Sequence, residues 1–567
     1  MTLEHLLQKY QSNYNLISVV DLDNWYTIAP TNRAEWLRNL LHRCYQPAFN
    51  DNQRIVFTLS LGDEYYTQTD IAGVILTTLQ EQLNQVDISN FFVVLLTNSP
   101  EQIEPARAVI SASSTDSVPI TVEYFDGSVA KRTAEDFRNL GYNYNSIRPL
   151  KIDINQLTTT QQRRLLEDKY FCMYPWVHMY VEPSAKVYSC CGVIHDDSNV
   201  VGDTNLSTLE EIWNHQPMRD LRLRMINNKP INSCKRCYEH EEAGIFSMRN
   251  AANKHHGHHI ARVDATKTNG SLDKFNMIYW DVRFSNLCNL RCRTCGPKLS
   301  SSWYQDQVSI RPDYIDQHKA LIFAGKYKTD LWEQLIGHID HVEQIYFAGG
   351  EPLLMEEHYY ILEELIQRKK FDVKLIYNTN FTQIKLKDKS IFEYWKLFDS
   401  VSVGASLDAS FTRGEYIRKG TDWQQIEENR RLMMETCPNV YFYISATLSI
   451  LNAWHLPDFH RDWTERGLIE AKDFSINILN NPKHYRLDIG PWEFKREIES
   501  KYRKHLEWLA PQDGLRRASN DFESAIVFMN TTDNTELLEQ FWQKITQLDD
   551  IRRENILDIL PELEALK

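Results

Sequence analysis

No stretch of the sequence is apolar over the roughly 20 residues that a transmembrane helix needs, and Met1–Tyr10 lacks the pattern of a secretory signal peptide. A basic tail or stripe is missing as well, since 63 Lys and Arg residues face 77 Asp and Glu residues and the net charge is −14. These absences predict a cytoplasmic protein whose main partner is neither a membrane nor a nucleic acid.

The sequence has ten cysteines and no export signal. In a reducing compartment cysteines serve as metal ligands or stay free thiols, and disulfides are rare. The length of 567 residues predicts three or four domains.

Residues 1–150 alternate short apolar runs with helical patterns, which predicts a small α/β domain with a largely parallel sheet. The candidate strands are Ile17–Asp21, Arg54–Ser60, Phe91–Thr97 and Pro119–Phe125, and the candidate helices are Arg33–Leu41, Asp70–Leu83, Glu101–Ile110 and Ala130–Leu140. No G-x-G-x-x-G or P-loop follows these strands, so no nucleotide site is predicted. We expect this domain to serve as a scaffold or a recognition surface.

Residues 165–250 have the layout of a metal site. A cysteine is followed by a predicted hairpin, a cysteine pair, a helical stretch over Leu209–Ile226 and a C-x-x-C knuckle. The five candidate ligands are Cys172, Cys190, Cys191, Cys234 and Cys237. A hairpin and a knuckle can bring four sulfurs together, so Cys190 or Cys191 is in excess. An iron–sulfur cluster, zinc and a reduced thiol cluster all fit this pattern.

The stretch Ser247–Gly270 is polar and contains His255, His256, His258 and His259. Four histidines so close together could bind a metal, but no carboxylate stands beside them in the sequence. A solvated linker, or a patch that faces a domain or partner, is the expected structure.

Residues 275–485 repeat strand and helix patterns, with helices predicted at Leu354–Lys369 and Trp423–Glu435. The six candidate strands are Met277–Phe284, Glu343–Phe347, Asp372–Tyr377, Ser400–Ser406, Val440–Ile450 and Phe474–Leu479. Such repeats predict an α/β fold with a parallel sheet curved into a partial, TIM-like (β/α)6 barrel. Active sites on such barrels lie at the carboxyl ends of the strands. Residues 490–567 have helical patterns, for which a structural role is expected.

Three cysteines, Cys288, Cys292 and Cys295, follow the first of these strands at spacings of four and three residues. A short loop can direct all three thiols inward. Structural zinc sites use four protein ligands, whereas a cube of four irons held by three thiolates keeps one iron open for a substrate or cofactor. The spacing therefore favours a catalytic [4Fe–4S] cluster.

This C-x3-C-x2-C pattern resembles the signature of the radical S-adenosylmethionine (radical SAM) superfamily, except that Thr294 stands where an aromatic residue is usual. The resemblance implies that SAM binds the open iron through its amino and carboxylate groups. An electron from an external donor, such as flavodoxin or ferredoxin, then splits SAM to methionine and a 5′-deoxyadenosyl radical.

Further motifs resemble the cofactor contacts of this superfamily. Ala348-Gly349-Gly350-Glu351-Pro352, after the second strand, is similar to the GGEP motif that contacts the SAM amino group. The resemblance implies polar cofactor contacts after the later strands as well: Asn378, Asn380, Ser406, Asp408, Arg418 for the SAM carboxylate, and Asn452 near the adenosine.

The cysteine-rich stretch 165–250 resembles the twitch or SPASM type of auxiliary iron–sulfur module, although it precedes the predicted barrel instead of following it. Because many enzymes with such modules mature peptides, the resemblance implies hydrogen abstraction from a peptide or protein substrate. A radical SAM enzyme for a small molecule, of the dehydrogenase type, is the alternative. A non-catalytic scaffold that binds metal is a third hypothesis.

Overall fold

The computed structural model describes four strands within residues 1–150 and the residues 157–242, 247–513 and 516–567. The strands are β1 (Leu16–Asp21), β2 (Gln53–Thr58), β3 (Val93–Thr97), β4 (Ile120–Tyr124), β5 (His178–Val181), β6 (Lys186–Tyr188), β7 (Gly202–Asp203), β8 (Tyr279–Val282), β9 (Gln344–Phe347), β10 (Lys374–Thr379), β11 (Lys385–Leu386), β12 (Lys389–Ser390), β13 (Val401–Ala405), β14 (Tyr441–Leu448) and β15 (Phe474–Ile478).

The described helices are α1 (Thr159–Leu166), α2 (Leu209–Trp213), α3 (Gln216–Ile226), α4 (Lys235–Glu242), α5 (Met248–His256), α6 (Ala261–Asp264), α7 (Tyr304–Ile310), α8 (Tyr314–Gln317), α9 (Asp330–Ile336), α10 (Glu356–Gln367), α11 (Ile391–Trp395), α12 (Phe411–Ile417), α13 (Trp423–Thr436), α14 (Leu456–Glu465), α15 (Trp492–Leu509), α16 (Arg517–Thr531), α17 (Leu538–Arg552) and α18 (Ile556–Ile559). Among these described helices, none has both the length and the apolar character that crossing a membrane requires.

The chain forms two compact units. The first contains residues 1–173 and 235–264, and the second contains residues 174–234 and 265–567. The predicted cysteine-rich module, 165–250, is therefore divided between the two units.

In the first unit, β1 pairs with β2 and β3 pairs with β4, both in parallel. Each of these strands overlaps a predicted one. The four helices predicted within residues 1–150 lie outside the described residues. Helix α1 begins with a capping box, in which the Thr158 hydroxyl accepts a hydrogen bond from Gln161 N at 3.3 Å.

Of the two structures expected for Ser247–Gly270, a solvated linker or a patch that faces a domain or partner, the solvated linker is wrong. Its first part is helix α5, and the Ser247 hydroxyl caps this helix by accepting from Asn250 N at 3.1 Å. Ala252, Asn253 and His256 lie on one face of the helix and are buried. The Asn253 side chain accepts from Met173 N at 2.9 Å. Polar residues at helical spacing thus form a buried face that composition alone did not indicate.

The second unit is built on a nine-stranded sheet in the order β15-β14-β13-β10-β9-β8-β5-β6-β7. The six strands from β8 to β15 in this sheet pair in parallel, and each overlaps one of the six predicted strands. Helices α10 and α13 also lie where they were predicted. The structure thus has a large parallel sheet with helical connections, while its curvature into a partial barrel stays a prediction.

The predicted hairpin of the cysteine-rich module extends this sheet. Strand β5 pairs in parallel with β8, and β6 and β7 continue outward in antiparallel pairs. The predicted helix over Leu209–Ile226 is two helices, α2 and α3. Pro217 lies in the first turn of α3, where a backbone N–H would have no partner within the helix, so proline is tolerated there. Proline cannot stand inside a longer helix without breaking it, so α2 and α3 do not form one continuous helix.

Alternation along the parallel strands gives the sheet two different faces. The apolar face contains residues such as Leu375, Tyr377, Val403, Ile444 and Phe474, all of which are fully buried. Helices pack against it: the Trp395 and Tyr377 rings have centroids 5.0 Å apart, and those of Phe459 and Phe474 are 5.7 Å apart.

We call the opposite side the polar face. It contains Asp281, Tyr346, Asn378, Ser402, Tyr443 and Ser475. The strand register places Tyr346 beside Ile376, which is in turn beside Ser402, and places Asn378 beside Gly404. Most of these side chains are half-buried, so this side of the sheet is polar and partly open.

Candidate active site

The sequence-predicted residues of the second unit follow the carboxyl ends of neighbouring parallel strands. The three-cysteine loop follows β8, the Gly349–Pro352 turn follows β9, and Asn380 follows β10. Asp408 follows β13 and Asn452 follows β14. Parallel strands end at the same edge of a sheet, so one edge carries all these groups.

The three thiols of Cys288, Cys292 and Cys295 lie close enough to influence one another electrostatically. Burial raises the pKa of Cys288 and of Cys295 to about 12, and the neighbouring thiols add to this rise. Burial also raises the pKa of Cys292. Three sheltered sulfurs on one short loop are a suitable ligand set for an iron–sulfur cluster with one open iron.

The thiol loop, Cys288–Cys295, is fixed by hydrogen bonds to its backbone. The Ser302 hydroxyl donates to Cys288 O at 2.7 Å, and Trp303 Nε1 donates to Cys292 O at 2.7 Å. On another side, Arg293 N donates to Ile417 O at 2.8 Å. These contacts restrain the loop on both sides.

A buried ion cluster joins this loop to the C-terminal helices. The Arg293 guanidinium is 1% exposed and contacts Asp549 and Glu554, the latter at 2.8 Å. It also lies over the Tyr416 ring, 3.7 Å from the centroid. Tyr416 Oη donates to Asp549 Oδ1 at 2.9 Å.

A second buried pair lies beside it. Arg552, at the end of α17, donates to Asp306 Oδ2 from Nε at 3.0 Å and from Nη2 at 2.8 Å. Arg552 Nη2 also donates to Arg291 O at 2.8 Å, so it contacts the thiol loop itself. The C-terminal helices, for which a structural role was expected, thus contact the thiol loop, but the sequence pattern did not indicate these partners.

Gly349 and Gly350 both have positive φ, at +82° and +52°. A Cβ atom on Gly350 would lie 2.3 Å from Leu287 O, and one on Gly349 would lie 2.4 Å from Arg283 Cδ. The turn therefore needs glycine twice, for its conformation and for its close approach to the segment that leads to Cys288.

The Glu351 carboxylate connects the ends of β9 and β10. It is 1% exposed and accepts from Thr379 Oγ1 at 2.7 Å, Asn380 N at 2.7 Å and Leu353 N at 3.1 Å. Burial raises the pKa of Glu351 to about 7, although these hydrogen bonds oppose the rise. In the structure this side chain orders the edge of the sheet.

Two polar side chains reach the sulfurs. Arg418 Nη1 lies 3.8 Å from Cys292 Sγ, and Asn380 Nδ2 lies 3.9 Å from Cys288 Sγ. The Arg418 guanidinium also pairs with Asp408, with Nε 2.8 Å from Oδ2. Donors beside the thiols favour their negatively charged, metal-binding form.

The remaining predicted cofactor contacts differ in whether their side chains are already hydrogen-bonded within the protein. Asn452 donates both amide hydrogens to backbone carbonyls, those of Asp408 at 2.9 Å and Thr447 at 3.0 Å. A contact from this amide to a cofactor would have to replace one of these bonds. Asn378 and Ser406 are half-buried, and their role as cofactor contacts stays a prediction, as does that of Pro352.

The candidate ligands of the cysteine-rich module are divided between the two units. In the first unit, Cys172 and Cys237 lie near the Arg249 guanidinium, which pairs with Glu241. In the second, Cys190, Cys191 and Cys234 are partly buried. Burial, together with the nearby Asp281 carboxylate, raises the pKa of Cys191 to about 12.

The sequence prediction missed Asp281 and Arg283, which lie on the polar face at the end of β8. Arg283 Nε donates to Asp281 Oδ1 at 3.0 Å. The signal was present in the run Tyr279-Trp-Asp-Val-Arg283, where two charged residues alternate with apolar ones inside a buried strand. Such alternation indicates that one side of the strand faces a polar environment.

Comparison with known proteins gives one family match. Residues 172–238 match the SPASM family, described as an iron–sulfur cluster-binding domain. No curated protein matches the chain.

Among solved structures, the chain is similar to native anSMEcpe with bound AdoMet, at 18% identity over 40% of this chain and 58% of that chain, with a TM-score of 0.25. The chain is also similar to the histidine-tagged form with bound AdoMet, at 19% identity over 40% of this chain and 57% of that chain, with a TM-score of 0.28. Native anSMEcpe with bound AdoMet and the Cp18Cys peptide matches at 18% identity over 39% of this chain and 57% of that chain, with a TM-score of 0.26. The chain thus spans 57% to 58% of the length of these solved chains.

The family match agrees with the cysteine pattern on the chemical nature of the module. It favours iron and sulfide over zinc for the stretch that begins at Cys172 and ends just after Cys237. The predicted SPASM-like module is therefore confirmed: residues 172–238 are similar to the SPASM iron–sulfur cluster-binding domain.

Proposed function

We propose that this protein is a radical SAM enzyme. The observation that carries the proposal is the set of three sheltered thiols, Cys288, Cys292 and Cys295, after the first of six parallel strands, with the glycine turn after the next strand. A [4Fe–4S] cluster on these thiols, with SAM on its open iron, would supply the electron transfer that yields a 5′-deoxyadenosyl radical.

The chain's own residues would hold and shield these groups. Cys288, Cys292 and Cys295 would ligate the cluster, and Arg418 and Asn380 lie beside two of the sulfurs. Gly349 and Gly350 give the turn that would receive the SAM amino group, by its resemblance to the GGEP motif. The buried surroundings of the thiols would limit the access of water.

The proposed substrate is a peptide or protein from which hydrogen is abstracted. Two features support it: the SPASM-like module, and the presence of the first compact unit, of about two hundred residues, in addition to the unit that carries the site. The module would hold a second iron–sulfur cluster, and a protein such as flavodoxin or ferredoxin would supply the electron.

A radical SAM enzyme for a small molecule is the second candidate, because a parallel sheet with such a site is sufficient for that chemistry. Mass spectrometry of peptides and metabolites incubated with the reconstituted protein and SAM separates the two. Our proposal expects a changed peptide mass, and a changed metabolite alone would contradict the peptide assignment.

The activity itself is tested by anaerobic reconstitution followed by quantification of 5′-deoxyadenosine. We expect the wild-type protein to form it under a chemical reductant, and Cys288→Ala, Cys292→Ala and Cys295→Ala each to lose it. The variant with all three changes should keep iron and sulfide bound in the SPASM-like module.

The matched control is Cys437→Ala, because Cys437 is buried at the end of α13, away from the thiol loop in sequence, and contacts Met433 O at 3.5 Å. This variant should reconstitute and react like the wild type. Undiminished 5′-deoxyadenosine in a Cys288→Ala protein would refute the proposed function.

A further inference from the structure

The Arg283 side chain is embedded in the polar face but uses little of its bonding capacity. A guanidinium has five N–H donors. Nε donates to Asp281 Oδ1 at 3.0 Å, and no described residue accepts a hydrogen bond from Nη1 or Nη2. The side chain is only 17% exposed. The four N–H groups of Nη1 and Nη2 can therefore bind an acceptor from outside the chain.

Aromatic rings fix the orientation of this guanidinium. Its central carbon lies 4.9 Å from the centroid of the Tyr180 ring and 5.4 Å from that of the Tyr346 ring. Asp281, which is fully buried, accepts a hydrogen bond from Nε and so also restrains the group. A guanidinium so restrained has already lost its conformational freedom, which lowers the entropy cost of binding a planar anion.

Arg283 also lies against the candidate active site. Its Cβ, Cγ and Cδ atoms occupy the space beside Gly349, since a Cβ there would come within 2.4 to 3.0 Å of them. Its own backbone leads through Phe284 to the thiol loop. An anion held by Arg283 would therefore sit next to the turn that receives SAM in the proposed function.

We infer that Arg283 is a substrate anchor that binds a carboxylate through Nη1 and Nη2. This inference rests on the proposed function and names the chemical class of its substrate. A carboxylate matches the two parallel N–H groups of a guanidinium, which makes such pairs both strong and directional. The carboxylate can belong to a peptide or to a small acid, and the experiment distinguishes these sources.

The test is isothermal titration of the reconstituted full-length protein, saturated with SAM, with three probes. They are N-acetyl-glycylglycine with a free carboxylate, the same compound as its amide, and succinate. We expect the free carboxylate to bind more tightly than the amide by about tenfold to a hundredfold, the range for hydrogen bonds between charged groups. Tighter binding of succinate than of the acetylated dipeptide would assign the anchor to small acids, and the reverse order would assign it to peptides.

Two substitutions locate the effect at Arg283. Arg283→Gln should remove the preference for carboxylate over amide, and Arg283→Lys should keep part of it because the charge remains. The control is Arg430→Gln, which removes a guanidinium that lies 4.2 Å from the Phe442 ring and should leave the preference unchanged. If Arg283→Gln does not fold, the lysine variant carries the test alone.

Several outcomes overturn the inference. They are equal binding of carboxylate and amide to the wild type, unchanged carboxylate binding by Arg283→Lys and Arg283→Gln, or a loss of SAM affinity in these variants, which would place Arg283 in the cofactor site. Failure of the proposed function has a different signature. In that case the wild type forms no 5′-deoxyadenosine, while carboxylate binding that depends on Arg283 persists.

Discussion

The two faces of the parallel sheet come from the same strands and differ in nearly everything else. On the apolar face, Val403 and Ile444 are fully buried beneath helices. On the polar face, the neighbouring Ser402 and Tyr443 are half-buried. Since successive residues of a strand point to opposite sides, one short segment supplies apolar side chains to the core and polar side chains to the opposite face. Stability should therefore depend on one face, and binding on the other.

The largest effect is expected from a charge on the apolar face. Val403→Asp would bury a carboxylate among apolar side chains, at a cost of about 4 kcal/mol or more. We expect a strongly lowered urea midpoint or insoluble protein. Ser402→Asp, one residue away on the polar face, is the matched control and should cost less than about 1 kcal/mol. Equal losses in the two variants would refute the division between the faces.

Next in size is the ion cluster at the edge of the sheet. Arg293→Ala would leave Asp549 and Glu554 buried without their cation, which costs about 3 to 5 kcal/mol. Unfolding in urea should show this loss, and the iron content on reconstitution should fall because the thiol loop loses its support. The exposed Arg503 pairs with Glu499 on one helix, so Arg503→Ala should change stability by only about 0.5 kcal/mol. A mild effect of Arg293→Ala would mean that the C-terminal helices do not position the loop.

A smaller change in stability, but a large one in activity, is expected at the glycine turn. Gly350→Ala adds a Cβ 2.3 Å from Leu287 O and should cost about 2 kcal/mol or more, with loss of SAM binding. Gly467 also has positive φ, at +68°, but open space around its Cβ position. Gly467→Ala should therefore cost only about 1 kcal/mol and leave SAM binding intact. Equilibrium dialysis with labelled SAM measures the difference.

The smallest effect concerns pH. His358 packs behind the apolar face, with Nε2 2.9 Å from Tyr377 Oη, and burial lowers its pKa from 6.5 to about 3. The unfolded chain gains a proton below pH 6.5, whereas the folded chain stays neutral there. The stability that neutral His358 contributes is therefore present above pH 6.5 and is lost as the pH falls toward 3. At pH 5 the free energy of unfolding should be lower by about 2 kcal/mol.

His358→Gln should make the urea midpoint less sensitive to pH between 6.5 and 5. The exposed His341 is the control, and His341→Gln should leave this sensitivity as it is. An unchanged slope in the His358 variant would show that another buried group dominates the acid response.

The predictable part of this structure depends on local pattern. All six parallel strands were visible as apolar runs, because strands buried under helices need continuous apolar sequence on at least one side. The thiol loop and the glycine turn were visible because their chemistry needs particular residues at short spacing. The boundary between α2 and α3 was missed although Pro217 marked it.

The part that sequence did not predict depends on contacts between distant residues. Arg293 and Asp549 are 256 positions apart, and the sequence around neither residue indicates a buried ion pair. The same holds for β5 and β8, whose pairing joins Tyr180 to Asp281. A single sequence gives no information about such partners.

The pairing of β5 with β8 also limits how the sheet can grow. Strand β8 has β9 on one side and β5 on the other, so both of its edges are occupied. It cannot pair with β15, and the six parallel strands cannot close into a ring through their first and last members. Removal of residues 178–181 would bare the backbone N–H and C=O groups of the strand that leads to Cys288, and exposed edges of this kind recruit other chains. Strand β5 therefore also protects this edge of the parallel sheet from pairing with other chains.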